Sequence, residues 1–159
     1  RDSAVGPVEL WVAGDPGHPF VRACARRFGA ALRVQRGADL GQRMSYAFEC
    51  VLAQASRCVL IGTDCPGQTG ADLQRAAAAL RRRDVVLQPA EDGGYVLVGL
   101  REPRPELFDG VAWGGADVLA QTERRIAALG LAQRRLRRLP DLDTVEDYRR
   151  AQRHGWIAG

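Results

Sequence analysis

Short apolar runs alternate with helical stretches along this chain, and no other feature constrains its fold as strongly. Residues 8–13 and 58–62 are apolar runs that suit buried strands. Pro19–Phe28 and residues 40–55 carry apolar side chains at helical spacing, and Gly29 follows the first of these stretches. Strands that alternate with helices of this length form a mainly parallel sheet with helices on both faces. The sequence therefore predicts an α/β fold of three layers.

One connection is too short for this alternation. Residues 85–87 and Tyr95–Leu100 are both strand-like, and little more than a Pro-Ala-Glu-Asp-Gly-Gly turn separates them. Parallel strands need a longer crossover, so these two are expected to pair antiparallel, which makes the predicted sheet mixed. The other predicted elements are a strand at residues 32–34, a helix at 71–82, a helix at about 116–129, a strand-like LRRL segment near Leu136 and a last helix at about 144–154.

Composition limits the class of protein. A chain of 159 residues with 46% hydrophobic content can bury one core, which predicts a single domain. The four cysteines form no CxxC pair, so reduced thiols are expected rather than a zinc site or a disulfide framework. No apolar run approaches the ~20 residues of a membrane span, and no signal peptide opens the sequence. A cytoplasmic location without a membrane partner is therefore expected.

The net charge of +4 raises the question of nucleic-acid binding. The chain contains no lysine, and its arginines are spread along predicted helices. Their densest cluster, at residues 134–138, lacks the interleaved aromatic side chains of a single-strand platform. We therefore expect no nucleic-acid partner. The sequence also lacks the GxSxG, GxxxxGK[ST] and HExxH motifs of common hydrolases, P-loop proteins and zincins.

The turn Gly62-Thr63-Asp64-Cys65-Pro66 is the first candidate site. Ligands of open α/β sheets bind beyond the carboxyl ends of the strands, and Asp64 comes directly after a predicted buried strand. A hard cation bound to phosphates needs only one or two protein carboxylates, so Asp64 is a candidate Mg²⁺ ligand. Thr63, directly before it, is a candidate cofactor-binding residue. The alternative is that Asp64 only caps the turn.

Two further acidic segments are candidates. In residues 89–95, Gly93 and Gly94 could let backbone amides approach a ligand while Asp92 binds a hydroxyl group or the metal. The alternative is a purely structural hairpin turn, which Asp-Gly commonly forms. In residues 141–147, a capping box would account for the start of a helix but leaves Asp143 unexplained.

Residues 39–44 open a predicted helix. The free amides and positive dipole at a helix N-terminus favour phosphate or the polar edge of a base. Asp39, Gly41 and Arg43 are therefore candidate nucleotide-binding residues. The alternative is that Asp39 only caps the helix and Arg43 is a surface residue.

Several of these turns occur in segments that point to a known family. The segments, in chain order, are GADLGQRMSYAF, VLIGTDCP, VVLQPAEDGGYVLVGL, LFDGVAWGGADVLAQT and LPDLDTVEDY. Together they resemble a bacterial family of GT-A-fold proteins labelled uncharacterised glycosyltransferases. That family is similar to the nucleotidyltransferases of molybdenum-cofactor and phospholactate biosynthesis. The resemblance covers nearly the whole chain and implies a GT-A fold.

The resemblance also implies roles for individual residues. An acid at the end of a central strand and another near the last helix hold the metal in GT-A enzymes, which implies Mg²⁺ or Mn²⁺ on Asp64 and Asp143. Residues 39–44 would lie by the nucleotide. The residues that the resemblance places by the sugar or acceptor are Asp92, Gly93, Gly94 and Trp113. Core packing is the alternative for Trp113.

The chain departs from the family pattern in two places. Family members begin with a strand and a Gly-rich, basic loop with a Lys-Thr-Arg-Leu-like run, and no such run precedes Arg1. Residues 1–159 are therefore expected to form a single GT-A-like domain without its first strand and phosphate-binding loop. In addition, Gly114 and Gly115 stand where relatives carry hydroxyl residues, which bears on the acceptor site.

These observations lead to one function and two alternatives. The first is a metal-dependent, glycosyltransferase-like protein that uses a nucleotide-sugar donor and a small-molecule acceptor, with Asp64 and Asp92 in catalytic roles. One alternative is a nucleotidyltransferase that uses a nucleoside triphosphate, because the same fold hosts both reactions. The other is a catalytically silent nucleotide-binding or interaction domain. The oligomeric state is not predicted.

Overall fold

A computed structural model describes residues 5–157, and their helices and strands follow the predicted alternation. In chain order the elements are β1 Glu9–Val12, α1 Pro19–Phe28, β2 Ala31–Val34, α2 Leu40–Leu52, β3 Cys58–Ile61, α3 Gly70–Ala79, β4 Val85–Pro89, β5 Tyr95–Leu100, a 3-10 turn Pro105–Leu107, α4 Val118–Ala128, β6 Gln133–Arg135 and α5 Val145–Arg153. Within residues 5–157, no helix has the length and apolar character that crossing a bilayer requires.

The described strands form two hydrogen-bonded groups. β1 pairs with β2 in parallel, and the larger sheet has the order β3-β5-β4-β6. β5 runs antiparallel to both of its neighbours, whereas β6 is parallel to β4. The predicted mixed sheet is therefore confirmed. Because β3, β4 and β6 share one direction, their carboxyl ends lie at the same edge of the sheet.

Helices cover both faces of this sheet. Side chains alternate along β4, so Val85 and Leu87 join one apolar cluster while Val86 joins another. The first cluster includes Phe48 from α2 and Ile126 from α4, and the second takes its helical members from α3. The arrangement confirms the predicted three-layer α/β class.

Some element boundaries differ from the prediction. α2 ends at Leu52, three residues before the predicted end, and β6 lies just before the LRRL segment. The 3-10 turn was not predicted, because three residues are too few to show periodicity. α3 begins at Gly70 because Thr69 and Asp72 form a capping box before its first turn.

Candidate functional site

Three carboxylates meet at the carboxyl edge of the larger sheet. Asp92, Asp141 and Asp143 each offer an oxygen, and these oxygens lie within 4.8 Å of one another. Asp92 belongs to the turn after β4, and the other two follow β6. We refer to these three residues as the acidic group. The spacing lets one cation contact all three side chains.

The chain after β6 reaches this position by continuing beside β4. In this 136–143 segment, the amide of Leu136 donates to the carbonyl of Leu87 at 2.8 Å, and that of Leu139 donates to Pro89 at 3.0 Å. A buried apolar cluster made of Cys65, Ala90, Val96 and Leu139 packs the same segment against the sheet and the loop after β3. Packing and backbone hydrogen bonds therefore hold the acids from two distant parts of the sequence together.

Asp64 lies beside the acidic group without belonging to it. The amide of Leu142 donates to the Asp64 carbonyl at 3.0 Å, and the Cys65 thiol donates to the Pro140 carbonyl at 3.4 Å. The Asp64 carboxylate folds back toward Gly62, so that Oδ1 would lie 2.7 Å from a Cβ at that position. The structure thus brings the predicted residues Asp64 and Asp143 into adjacent segments, and their role as metal ligands stays a prediction.

Asp141 is the member of the acidic group that the sequence reasoning missed. Asp141 and Asp143 are two residues apart, and in an extended segment this spacing puts both side chains on one face. The alternation of acids in Asp-Leu-Asp was therefore the signal that could have identified it.

The electrostatics of Asp141 reflect this crowding. Burial, followed by repulsion from Asp92, Asp143 and Asp64, raises its pKa from 3.8 to about 6. Among the ion pairs of residues 5–157, none involves a member of the acidic group. The group therefore carries negative charge that the described side chains do not neutralise.

We expect Asp141→Asn to stabilise the metal-free protein above pH 6. Because the folded-state pKa is raised, the stabilising contribution of Asp141 is complete below pH 3.8 and is lost as the pH rises through 6. A shift of this size corresponds to about 3 kcal/mol, which solvent screening reduces to about 1–2 kcal/mol. Urea unfolding in EDTA at pH 4.5 and pH 7.5 measures the difference.

The matched control is Glu102→Gln, which removes the same charge from a surface pair with Arg104. The control should change the free energy of unfolding by less than about 0.5 kcal/mol at either pH. If Asp141→Asn is no more stable than the wild type at pH 7.5, burial and repulsion together do not disfavour the charged form of Asp141, and the raised pKa is contradicted.

In the turn after β4, packing against the residues before α4 explains why position 93 is a glycine. The Gly94 amide donates to Asp92 Oδ1 at 2.7 Å, and the Leu119 amide, at the start of α4, donates to the Gly93 carbonyl at 2.9 Å. Gly93 has φ +95°, and a Cβ there would overlap the carbonyl oxygen of Ala116. Gly93 is therefore required by packing, and the contribution of Gly93 and Gly94 to ligand binding stays a prediction.

The start of α2 lies beside a separate depression. Asp39 Oδ1 accepts from the Gln42 amide at 2.8 Å, which is an N-cap contact, and Arg43 Nε donates to the Gly37 carbonyl at 3.2 Å. A cavity of about 390 Å³ is lined partly by Asp39 and Gly41. The members of the acidic group do not line this cavity, so the predicted nucleotide-binding residues at α2 stay a separate prediction.

Trp113 connects the start of α2 with the turn after β4. Its ring centroid lies 6.5 Å from that of Tyr95 and 6.4 Å from that of Phe108. A Cβ on Gly41 would approach the indole Nε1 to 2.8 Å, so Gly41 also serves close packing. These contacts match the core-packing interpretation of Trp113.

Thr63 lies in the turn after β3, directly before Asp64, and its side chain is exposed. Its role in cofactor binding stays a prediction.

The fold defines the class of protein. A solved structure from Desulfovibrio desulfuricans G20, described as a candidate nucleotide-diphospho-sugar transferase, superposes with a TM-score of 0.80 and 31% identity. The match covers 92% of this chain and 66% of that one, so this chain spans just under two thirds of the relative. The GT-A-type, nucleotide-diphospho-sugar transferase fold is therefore confirmed.

The family follows from residues 1–115, which match the bacterial family described as uncharacterized proteins conserved in bacteria, DUF2064. The chain belongs to this family, and the match ends before Asp141 and Asp143. A second structure, CMP:2-keto-3-deoxy-manno-octonic acid synthetase in complex with CTP, has a TM-score of 0.62 at 14% identity. That match covers 97% of this chain and 84% of the synthetase chain, and at this identity it shows a shared fold alone. No curated protein matches this chain in sequence.

Proposed function

We propose that this chain is the core of a metal-dependent transferase that uses a nucleotide-sugar donor and a small-molecule acceptor. The observation that carries the proposal is the meeting of Asp92, Asp141 and Asp143 at the carboxyl edge of the sheet. Ligands of open α/β sheets bind at this edge. The description of the Desulfovibrio relative as a candidate nucleotide-diphospho-sugar transferase supports the donor class.

The residues present fit a hard divalent cation. Carboxylate oxygens are the ligands that Mg²⁺ and Mn²⁺ prefer, and among the described residues no arginine forms an ion pair with Asp92, Asp141 or Asp143. Asp92, Asp141 and Asp143 would hold the ion, and Asp64 would join them only after its side chain turns away from Gly62. When bound, the cation supplies charge neutralisation for the nucleotide phosphates and the leaving group.

The remaining roles fall to the polypeptide around the acidic group. The hydrogen bond from the Gly94 amide fixes Asp92 Oδ1 and leaves Oδ2 to the metal or to an acceptor hydroxyl group. The bond from Leu142 to the Asp64 carbonyl keeps the Asp64 side chain beside the group, where it could orient the acceptor. The sheet edge thus offers one place at which donor phosphates and acceptor would meet.

Nucleotidyl transfer is the second candidate, favoured by the fold shared with a synthetase solved with CTP. The two reactions differ in the released product. Attack of an acceptor oxygen on the anomeric carbon of a nucleotide-sugar releases a nucleoside diphosphate. Attack on the α-phosphorus of a triphosphate releases pyrophosphate. Assays for both products, with sugar phosphates and free sugars as acceptors, separate the two candidates.

The test of the metal site compares wild type with Asp143→Asn. We expect Mn²⁺ to bind the variant at least about ten-fold more weakly, a loss of about 1.4 kcal/mol, because one charged ligand is replaced by a neutral amide. Mn²⁺ binding is measured by electron paramagnetic resonance. Thermal unfolding with UTP, GTP, CTP, UDP-glucose and GDP-mannose, with and without Mn²⁺, then identifies the nucleotide.

Glu102→Gln serves as the control, because it removes one negative charge from a surface pair. It should bind Mn²⁺ as the wild type does. Equal weakening in both variants would indicate a general charge effect and would contradict a site at Asp143. If the wild type shows no metal-dependent shift with any nucleotide, the transferase proposal fails and the silent-domain alternative gains support.

A further inference from the structure

A buried carboxylate, Asp72, lies in the first turn of α3 and is linked by Arg137 to the 136–143 segment. Asp72 is 1% exposed and accepts from Arg137 Nε at 2.9 Å and from Arg137 Nη2 at 2.6 Å. It also accepts from the Thr69 hydroxyl group at 2.7 Å and from Arg75 at 3.3 Å. Although burial by itself would raise the pKa of Asp72, the hydrogen bonds from Arg137 and Thr69 hold it well below its usual value. Asp72 is therefore charged and fully partnered.

Arg137 also contacts a second element. Its Nη2 donates to the carbonyl of Gly67 at 3.3 Å, in the loop of residues 62–69 that follows β3. Arg137 itself belongs to the 136–143 segment, which carries Asp141 and Asp143. One guanidinium group therefore links the loop of Asp64 to the segment that supplies two members of the acidic group.

A second buried contact fixes the same loop to the sheet. Gln68 Nε2 donates to Gln88 Oε1 at 2.9 Å, and Gln88 is fully buried on β4. Gln88 lies four residues before Asp92. The loop is thus held against β4 by Gln68 and against the 136–143 segment by Arg137.

We propose that Arg137 is a positioning residue that sets the separation of the acidic carboxylates through its bonds to Asp72 and Gly67. The inference rests on the proposed metal site. A planar guanidinium group can bond both oxygens of a carboxylate and a carbonyl at once, which fixes direction as well as distance. Without it, the bonds from the Leu142 amide to Asp64 and from the Cys65 thiol to Pro140 still join the two segments, but no charged group does. The acids then gain freedom to move apart under their own repulsion.

The experiment compares Arg137→Ala with Arg75→Ala. Both arginines contact Asp72, but Arg75 lies on α3 itself, three residues from Asp72, and leaves the two acidic segments joined. We expect the Mn²⁺ dissociation constant to rise at least about ten-fold in Arg137→Ala and to stay within about two-fold of wild type in Arg75→Ala. Circular dichroism establishes that each variant is folded at the temperature of the titration.

Arg137→Lys is the second variant, because it keeps the charge and one bond to Asp72 but lacks the fork that also reaches Gly67. An affinity between those of wild type and Arg137→Ala is expected. If Arg137→Ala unfolds more readily yet binds Mn²⁺ as tightly as Arg75→Ala, Arg137 is a structural ion-pair partner only and the proposal is overturned.

A metal-independent measurement separates this proposal from the proposed function. The Leu142 amide donates to the Asp64 carbonyl, so its hydrogen exchange reports whether the two acidic segments stay together. We expect exchange at least about ten-fold faster in Arg137→Ala than in Arg75→Ala. Should the wild type bind no Mn²⁺, this difference would still support positioning by Arg137. Equal protection of Leu142 in both variants would overturn it.

Discussion

Gly93→Ala is expected to lower the free energy of unfolding by roughly 3–5 kcal/mol, through strain and overpacking together. The backbone at Gly93 has φ +95°, a conformation that residues other than glycine rarely adopt. The added Cβ would also overlap the carbonyl oxygen of Ala116. That oxygen is backbone and cannot rotate away. To relieve the overlap, the turn after β4 would have to move away from the start of α4, which would break the hydrogen bond from the Leu119 amide to the Gly93 carbonyl. Urea unfolding followed by circular dichroism measures the loss.

Gly114→Ala isolates the backbone contribution. Gly114 has φ +83°, but a Cβ there would meet no atom within 4 Å. Its expected cost is about 1–2 kcal/mol, from backbone strain alone. The difference between the two variants is the steric term. Equal costs for both would show that contact with Ala116 is not the reason for glycine at position 93.

Phe48→Ala is expected to destabilise the protein by about 3–5 kcal/mol, the cost of removing a large side chain from a well-packed core. Phe48 is fully buried on α2, and its ring is stacked on Phe108 with centroids 5.8 Å apart. Phe108 in turn contacts Trp113, which packs on the start of α2. For a chain of this length, the unfolding midpoint should fall by about 10 °C.

Phe20→Ala is the matched control, since the same substitution is made on α1 at a side chain that is 70% exposed. It should change the free energy of unfolding by less than about 0.5 kcal/mol. A cost for Phe48→Ala no larger than that of Phe20→Ala would mean that α2 does not pack on the 105–108 turn as described.

The sequence predicted the elements well where the signal was local. Pro19–Phe28 is a helix with the predicted bounds, because its periodicity, its Pro start and the following Gly29 all act within a few residues. The antiparallel pairing of β4 and β5 was also predictable, since their short connection excludes a crossover. The position of β6 was less accurate, because Gln133–Arg135 has no apolar alternation.

The candidate site was predicted only in part, for a different physical reason. The sequence identified the acidic turns, because each follows a strand, but it selected Asp64 with Asp143 and passed over Asp141. Which carboxylates come together depends on strand order and side-chain direction, and neither is a local property. The contact between Asp72 and Arg137 likewise joins residues 65 positions apart.

The sequence by itself therefore determined the alternation of strands and helices, the mixed sheet and the edge at which polar turns collect. These follow from hydrophobic periodicity and connection length, which are written within short stretches of chain. Only the tertiary structure decided that Asp92, Asp141 and Asp143 meet, that Gly93 is required by Ala116, and that Arg137 links two distant segments. Each of these depends on distances between parts of the chain that approach one another only when the sheet is assembled.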